Sequence, residues 1–110
     1  MGKFIITKSL NGEFHFNLKS TSGETILTSE GYTSRTNCHN GIESVKRSAT
    51  DENMYDRKKA VNGQLFFTLE AMNGQTIGVS ALYENESSLN NGILSVKKQA
   101  PDAIVQDNTY

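Results

Sequence analysis

Apolar and polar residues alternate strictly over a short stretch near the start of the chain: Phe14, Phe16 and Leu18 are interleaved with Glu13, His15, Asn17 and Lys19. A period of two predicts a strand with one face in a core and the other toward solvent. Leu65, Phe67 and Leu69 repeat the pattern further on. Asn11-Gly12 and Asn62-Gly63 precede these strands, and Ser22-Gly23 and Asn73-Gly74 follow them. Such pairs tolerate positive φ and favour tight hairpins, so strands are expected at 4–8, then through 14–18, then at 25–28. Their counterparts lie at 55–59, 65–69 and 76–79.

After each meander the period changes. Cys38, Ile42, Val45 and Ala49 fall at spacings of four, three and four, and Leu89, Ile93, Val96 and Ala100 do the same. Each set is one apolar face of a helix. Ser34 and Asn85 stand where N-caps belong, and Lys46-Arg47 and Lys97-Lys98 occupy last turns, where cations complement the helix dipole. Pro101 blocks continuation of the second helix. Gly41 and Gly92 inside the helices cost roughly 1 kcal/mol each relative to alanine and are read as close-approach points against the sheet or the other helix.

These matches reflect a duplication. A shift of 63 − 12 = 51 positions aligns 12–49 with 63–100 without a gap, and fifteen of the thirty-eight positions are identical. They include Phe16/Phe67, Ser29/Ser80, Tyr32/Tyr83 and six of the seven positions of Asn40-Gly41-Ile42-Glu43-Ser44-Val45-Lys46, which recurs as Asn91-Gly92-Ile93-Leu94-Ser95-Val96-Lys97. At 110 residues the chain suits one domain, whereas a meander with one helix buries too little at half that length. The expectation is a single α+β domain, 1–110, made of repeat one (about 1–51) and repeat two (52–110). The repeats would share one antiparallel sheet with two helices packed on it, about a pseudo-two-fold axis. Ala103-Ile104-Val105 in the tail is expected to add a short strand.

An Asn-Gly pair before an aromatic strand, then Gly-x-Thr-Ile (Gly23 to Ile26; Gly74 to Ile77), then a Tyr-led helix ending in Asn-Gly-Ile-x-Ser-Val-Lys, resembles the YegP-like family of small uncharacterised proteins across nearly the whole chain. The resemblance implies strand-strand-strand-helix-strand repeats, each repeat's terminal strand exchanged onto the other. It implies no activity and carries no catalytic residues. Cys38, His39 and Gly78 depart from the alanine-like or larger apolar residues expected there.

Composition narrows function mainly by exclusion. Net charge is −1, with 6 − 4 = +2 over residues 1–50 and 5 − 8 = −3 over 51–110, so no global field draws nucleic acid or an anionic membrane. One cysteine precludes an internal disulfide and suits a reducing compartment. The apolar run Phe4-Ile5-Ile6 is too short for a secretion leader or a span, and a soluble, cytoplasmic protein is expected. Cys38 and His39 are adjacent and diverge by about 100° on a helix, and Leu89 matches Cys38 in the other repeat, so the position reads as packed. Glu84 and Glu86 flank a helix start, and Asp51, Glu52 and Asp102 follow helix ends. No catalytic, cofactor or metal constellation emerges.

Two functional classes remain. A non-catalytic binding or interaction module would use solvent-facing strand residues, His15 and Lys19 in repeat one and Phe66 in repeat two, for a protein partner. The alternative is weak single-stranded nucleic-acid binding through Arg57, Lys58 and Lys59 with Phe66 and Phe67 nearby, opposed by the overall acidity. With both halves in one chain, a monomer that is an internal pseudo-dimer is expected.

Overall fold

The computed structural model describes residues 2–109, so Met1 and Tyr110 of the expected 1–110 span lie outside the described residues. The elements are β1 (Lys3–Lys8), β2 (Phe14–Lys19), β3 (Thr25–Thr28), α1 (Arg35–Ser48), a 3-10 turn (Glu52–Met54), β4 (Tyr55–Lys59), β5 (Leu65–Glu70), β6 (Thr76–Val79), α2 (Glu86–Gln99) and β7 (Ile104–Asp107). The α+β class and the two strand-strand-strand-helix repeats are those the sequence predicts.

Local chemistry explains the turns and caps. Gly12 and Gly63 have φ of 86° and 88°, and Oδ1 of the preceding Asn11 and Asn62 accepts the N–H groups of Glu13 and Gln64, each at 3.0 Å. The side chain reinforces a turn that only glycine enters without strain. Ser34 Oγ accepts from Asn37 N at 3.1 Å and Asn85 Oδ1 from Ser88 N at 2.9 Å, caps worth about 1 kcal/mol each.

All seven strands form one sheet in the order β4-β5-β6-β3-β2-β1-β7. The two meanders join at β3 and β6, antiparallel through Thr28 and Val79. The sheet is antiparallel except at its margin, where β7 runs parallel to β1 in the register Lys3↔Ile104 to Ile6↔Asp107. The terminal strand of repeat two thus crosses to repeat one. The exchange is not reciprocal: the segment after α1 becomes the 3-10 turn and β4 itself, so among the described residues no strand is left over to cover the outer side of β4.

The helices lie on one face of the sheet. α1 packs over β2 and reaches β5 and β6, while α2 packs over β5 and reaches β3. Phe16 and Phe67 are fully buried in one continuous core. Phe4 meets Phe16 edge-on and Tyr55 meets Phe67 edge-on, both at 5.6 Å between ring centres, while Tyr32 and Tyr83 stack on the same two phenylalanines. Those tyrosines explain the helical glycines: a Cβ at Gly41 would lie 2.7 Å from Tyr32 Cζ, and one at Gly92 would lie 2.6 Å from Tyr83 Cζ. The close approach is to an aromatic ring stacked on the core, not to the other helix. Ser29 and Ser80 are shared for a comparable reason. Their hydroxyls accept the N–H groups of Phe16 and Phe67, both at 2.9 Å, which ties β2 and β5 to the ends of β3 and β6.

Gly78 departs from the repeat because of the pseudo-two-fold. It aligns with Leu27, and a Cβ at Gly78 would sit 2.6 Å from Leu27 Cγ and Cδ2. Two leucines at this seam would compete for one volume, so repeat one fills it and repeat two vacates it. Gly78→Ala is therefore expected to destabilise by about 1–3 kcal/mol through overpacking, and Leu27→Ala by about 2–5 kcal/mol. The double variant Leu27→Ala/Gly78→Ala should lose less than the sum in urea denaturation, because the shortened residue 27 makes room for the new methyl.

Candidate functional site

On the open face of the sheet, one row of residues crosses all seven strands: Asp56, Thr68, Val79, Thr28, Asn17, Ile5 and Gln106. His15, opposite Thr7, and Lys19, opposite Lys3, lie on this face in β2. Phe66 lies on it in β5, paired with Lys58 of β4. Strands β5 and β2 are three spacings apart, about 14 Å, so His15 and Lys19 share the face of Phe66 without touching it. Phe66 is half-buried rather than fully exposed. The run Arg57-Lys58-Lys59 splits by alternation: Lys58 faces outward beside Phe66, while Arg57 and Lys59 lie on the helix side. Phe67 is wholly interior, so Phe66 and Phe67 form no two-ring platform.

What the structure brings together is the outer edge of β4. Arg57 occupies the position that buried Ile6 holds in repeat one, yet it is exposed. Its Nη2 lies 2.8 Å from Glu52 Oε1 and 3.2 Å from Asn90 Oδ1, and its Nε lies 3.3 Å from Asn90 Oδ1. Glu52 Oε2 accepts from Lys97 Nζ at 2.5 Å. The hydrogen bonds from Lys97 and Arg57 hold the Glu52 carboxyl below its ordinary range. Lys97 Nζ also sits 5.7 Å from the centre of the Tyr55 ring. Two shallow clefts flank Arg57. One of about 220 Å³ is lined by Lys58, Lys59, Leu65, Glu86 and Leu89, and one of about 310 Å³ by Glu52, Asn90, Ile93, Leu94 and Lys97.

At the opposite margin β7 lies along β1 and is itself the edge strand. Ile104 N donates to Gly2 O at 3.2 Å and Asn108 N to Ile6 O at 3.0 Å. Beyond this ladder, Asp107 anchors β7: its Oδ1 accepts from Thr109 Oγ1 at 2.5 Å and from Thr109 N at 2.9 Å. Its Oδ2 lies 3.2 Å from Arg35 Nε and 3.9 Å from His39 Nε2, the latter an ion pair when the ring is protonated. The Thr109 hydroxyl is the main cause that lowers the Asp107 pKa, aided by the Thr109 backbone N–H, Arg35 and His39 and opposed by desolvation. Sequence reasoning missed this cluster. The available signal was a mismatch between repeats, since Arg35 and His39 align with Glu86 and Asn90.

Cys38 is fully buried, and burial, then the Asp107 charge, pushes its thiol up to about 11. A thiol so placed is overwhelmingly protonated at neutral pH and a poor nucleophile. Among the described residues, no group of three or more His, Cys, Asp and Glu side chains is gathered as a metal site, and no helix is long and apolar enough to cross a membrane.

A family model described as a domain of unknown function, DUF1508, matches residues 9–56 and again 60–107, in step with the duplication. UPF0339 protein YegP of Escherichia coli (strain K12) is 45% identical over 108 residues, covering 98% of each chain. The solution NMR structure of the protein of unknown function yegP from E. coli superposes with a TM-score of 0.93 at 45% identity, covering 98% of this chain and 93% of that one. UPF0339 protein SO3888 from Shewanella oneidensis, also solved by NMR, gives 0.93 at 40% identity, covering 98% and 92%. None of these descriptions assigns an activity.

The Asp107 anchor has a defined pH dependence. Because its folded-state pKa is lowered, its contribution is complete above the ordinary carboxylate value of about 4 and is lost as pH falls through the lower folded value. β7 should accordingly stay docked at neutral pH and loosen below about pH 4, seen as loss of NMR contacts between Phe4 and Val105. Asp107→Asn should speed amide exchange at Ile104 and Asn108 at pH 7 while leaving Phe16 protected.

Proposed function

The chain belongs to the DUF1508 family, represented by the UPF0339 protein YegP, and from that premise we propose that it is a non-catalytic interaction module whose contact surface is the β4 edge. The sheet ends in β7 on one side and β4 on the other, and the observation that carries this reading is the difference between the equivalent strands β1 and β4. β1 is covered by β7, whereas β4, among the described residues, has no strand on its outer side and exposes three consecutive cations, Arg57, Lys58 and Lys59. An uncovered edge strand offers main-chain donors and acceptors to a second chain. Its cations guard against indiscriminate pairing and favour a partner of opposite charge.

The same reading takes residues 1–110 as one domain, acting in the cytoplasm as a monomer without enzymatic activity, cofactor or membrane contact. In its support, the repeats complete a shared core within one chain, and the one cysteine is buried. A second reading, weak single-stranded nucleic-acid binding, has the Lys58–Phe66 pair in its favour and the net charge of −1 against it. Retention on a single-stranded DNA column near 50 mM salt, falling with added salt, would be its mark; passage without retention ends it.

A photo-crosslinking residue placed at Lys59 tests the interaction reading in the source cell. Adducts are expected from Lys59, beside the other cations of β4, and not from Ile104 on the β7 margin. They should disappear with Arg57→Pro, which removes an outward N–H from the edge but none from the β4–β5 ladder. Equal adducts from both margins, or none from Lys59, overturn the reading.

A further inference from the structure

The chain contains its own example of a strand laid along the equivalent edge. Adding 51 to the β1 numbers maps Phe4, Ile6 and Lys8 onto Tyr55, Arg57 and Lys59. In repeat one, the residue of β7 level with Ile6 is Asp107, so a strand lying on β4 as β7 lies on β1 would place its corresponding residue level with Arg57, and the residue two further on level with Lys59. The Asn108 N–H bond to Ile6 O shows that the backbone at this position faces the lane; by the same equivalence the N–H and C=O of Arg57 face the empty one.

Three observations indicate the occupant. First, β7 is held without a deep apolar anchor: Ile104 is 50% exposed and Val105 37%, so the ladder, buried Ala103 and the acid Asp107 retain it. Second, the cation that receives the acid has moved. In repeat one Arg35 and His39 of α1 supply it; α2 has Glu86 and Asn90 instead, and the positive charge is found on the strand, at Arg57. The contacts of Arg57 to Glu52 and Asn90 run through Nε and Nη2, and Nη1 takes no part in them. Third, the clefts on either side of Arg57 leave room beside β4 for an added chain.

We propose that the β4 edge takes an extended acidic segment of a partner protein as an eighth strand, parallel to β4, with carboxylates at alternate positions facing Arg57 and Lys59. This rests on the interaction-module reading and supplies the chemistry of its partner. A second copy pairing β4 with β4 is a poorer occupant, because its own β4 carries the same three consecutive cations and like charges oppose pairing across an edge.

The test uses the full chain, ¹⁵N-labelled, titrated with the blocked heptapeptide Ala-Ile-Val-Gln-Asp-Asn-Asp and with its neutral counterpart Ala-Ile-Val-Gln-Asn-Asn-Asn. Expected are amide shifts at Arg57 and Lys59 and in the Asn90 side chain, with the acidic peptide binding about tenfold or more tightly than the neutral one at low salt. Arg57→Glu should abolish that preference while the rest of the spectrum is kept. Equal binding of both peptides at β4 overturns the acid requirement and leaves the edge reading intact. If neither peptide perturbs β4 although Lys59 still gives crosslinks, strand addition is overturned and the interaction reading stands; if the crosslinks are also absent, both fall. Shifts confined to β7 and Arg35, or concentration-dependent self-association through β4, likewise overturn the proposal.

Discussion

Neither half of this chain can bury its own inner surface. A three-stranded meander under one 14-residue helix leaves the helix overhanging the end of its sheet, and an isolated meander is marginal in water. The structure resolves this at the β3–β6 seam, where each helix straddles the junction and rests on strands of the other repeat. Once the seam is made, Phe16 and Phe67 share one interior and the paired aromatic contacts recur on both sides. The compromise at Leu27 and Gly78 follows as well, since side chains near a pseudo-symmetry axis meet their own counterparts.

Much of this was legible in the sequence because it depends on local chemistry. Alternation gave the strands, the three-and-four spacing gave the helix faces, Asn-Gly marked the hairpins, and Ser34 and Asn85 marked the caps. The 51-residue shift joined these into one architecture. Gly78 was visible only as a departure, because its cause is contact with Leu27, remote in sequence. The partial covering of Phe66 likewise depends on neighbours that alternation alone does not supply.

The ends of the sheet were least legible. Nothing periodic in Ile104-Val105-Gln106-Asp107 specifies parallel pairing with β1, which depends on where α2 delivers the chain. Nor does periodicity show that β4 doubles as the place where a terminal strand of repeat one would have to begin, which rules out a reciprocal exchange. Arg57, Lys58 and Lys59 are consecutive in sequence, as are Phe66 and Phe67, but consecutive residues of a strand do not share a surface. The pleat separates them, placing Lys58 with Phe66 and turning Arg57 toward Glu52, Asn90 and the helix side.

The bond from Ile104 N to Gly2 O fixes the beginning and the end of the described chain at the same margin. β4 lies six strand spacings away, about 29 Å. A neighbour fused before Gly2 or after Thr109 would therefore hang from the far side, and the fold would act as a spacer that keeps a tethered cargo clear of whatever engages β4.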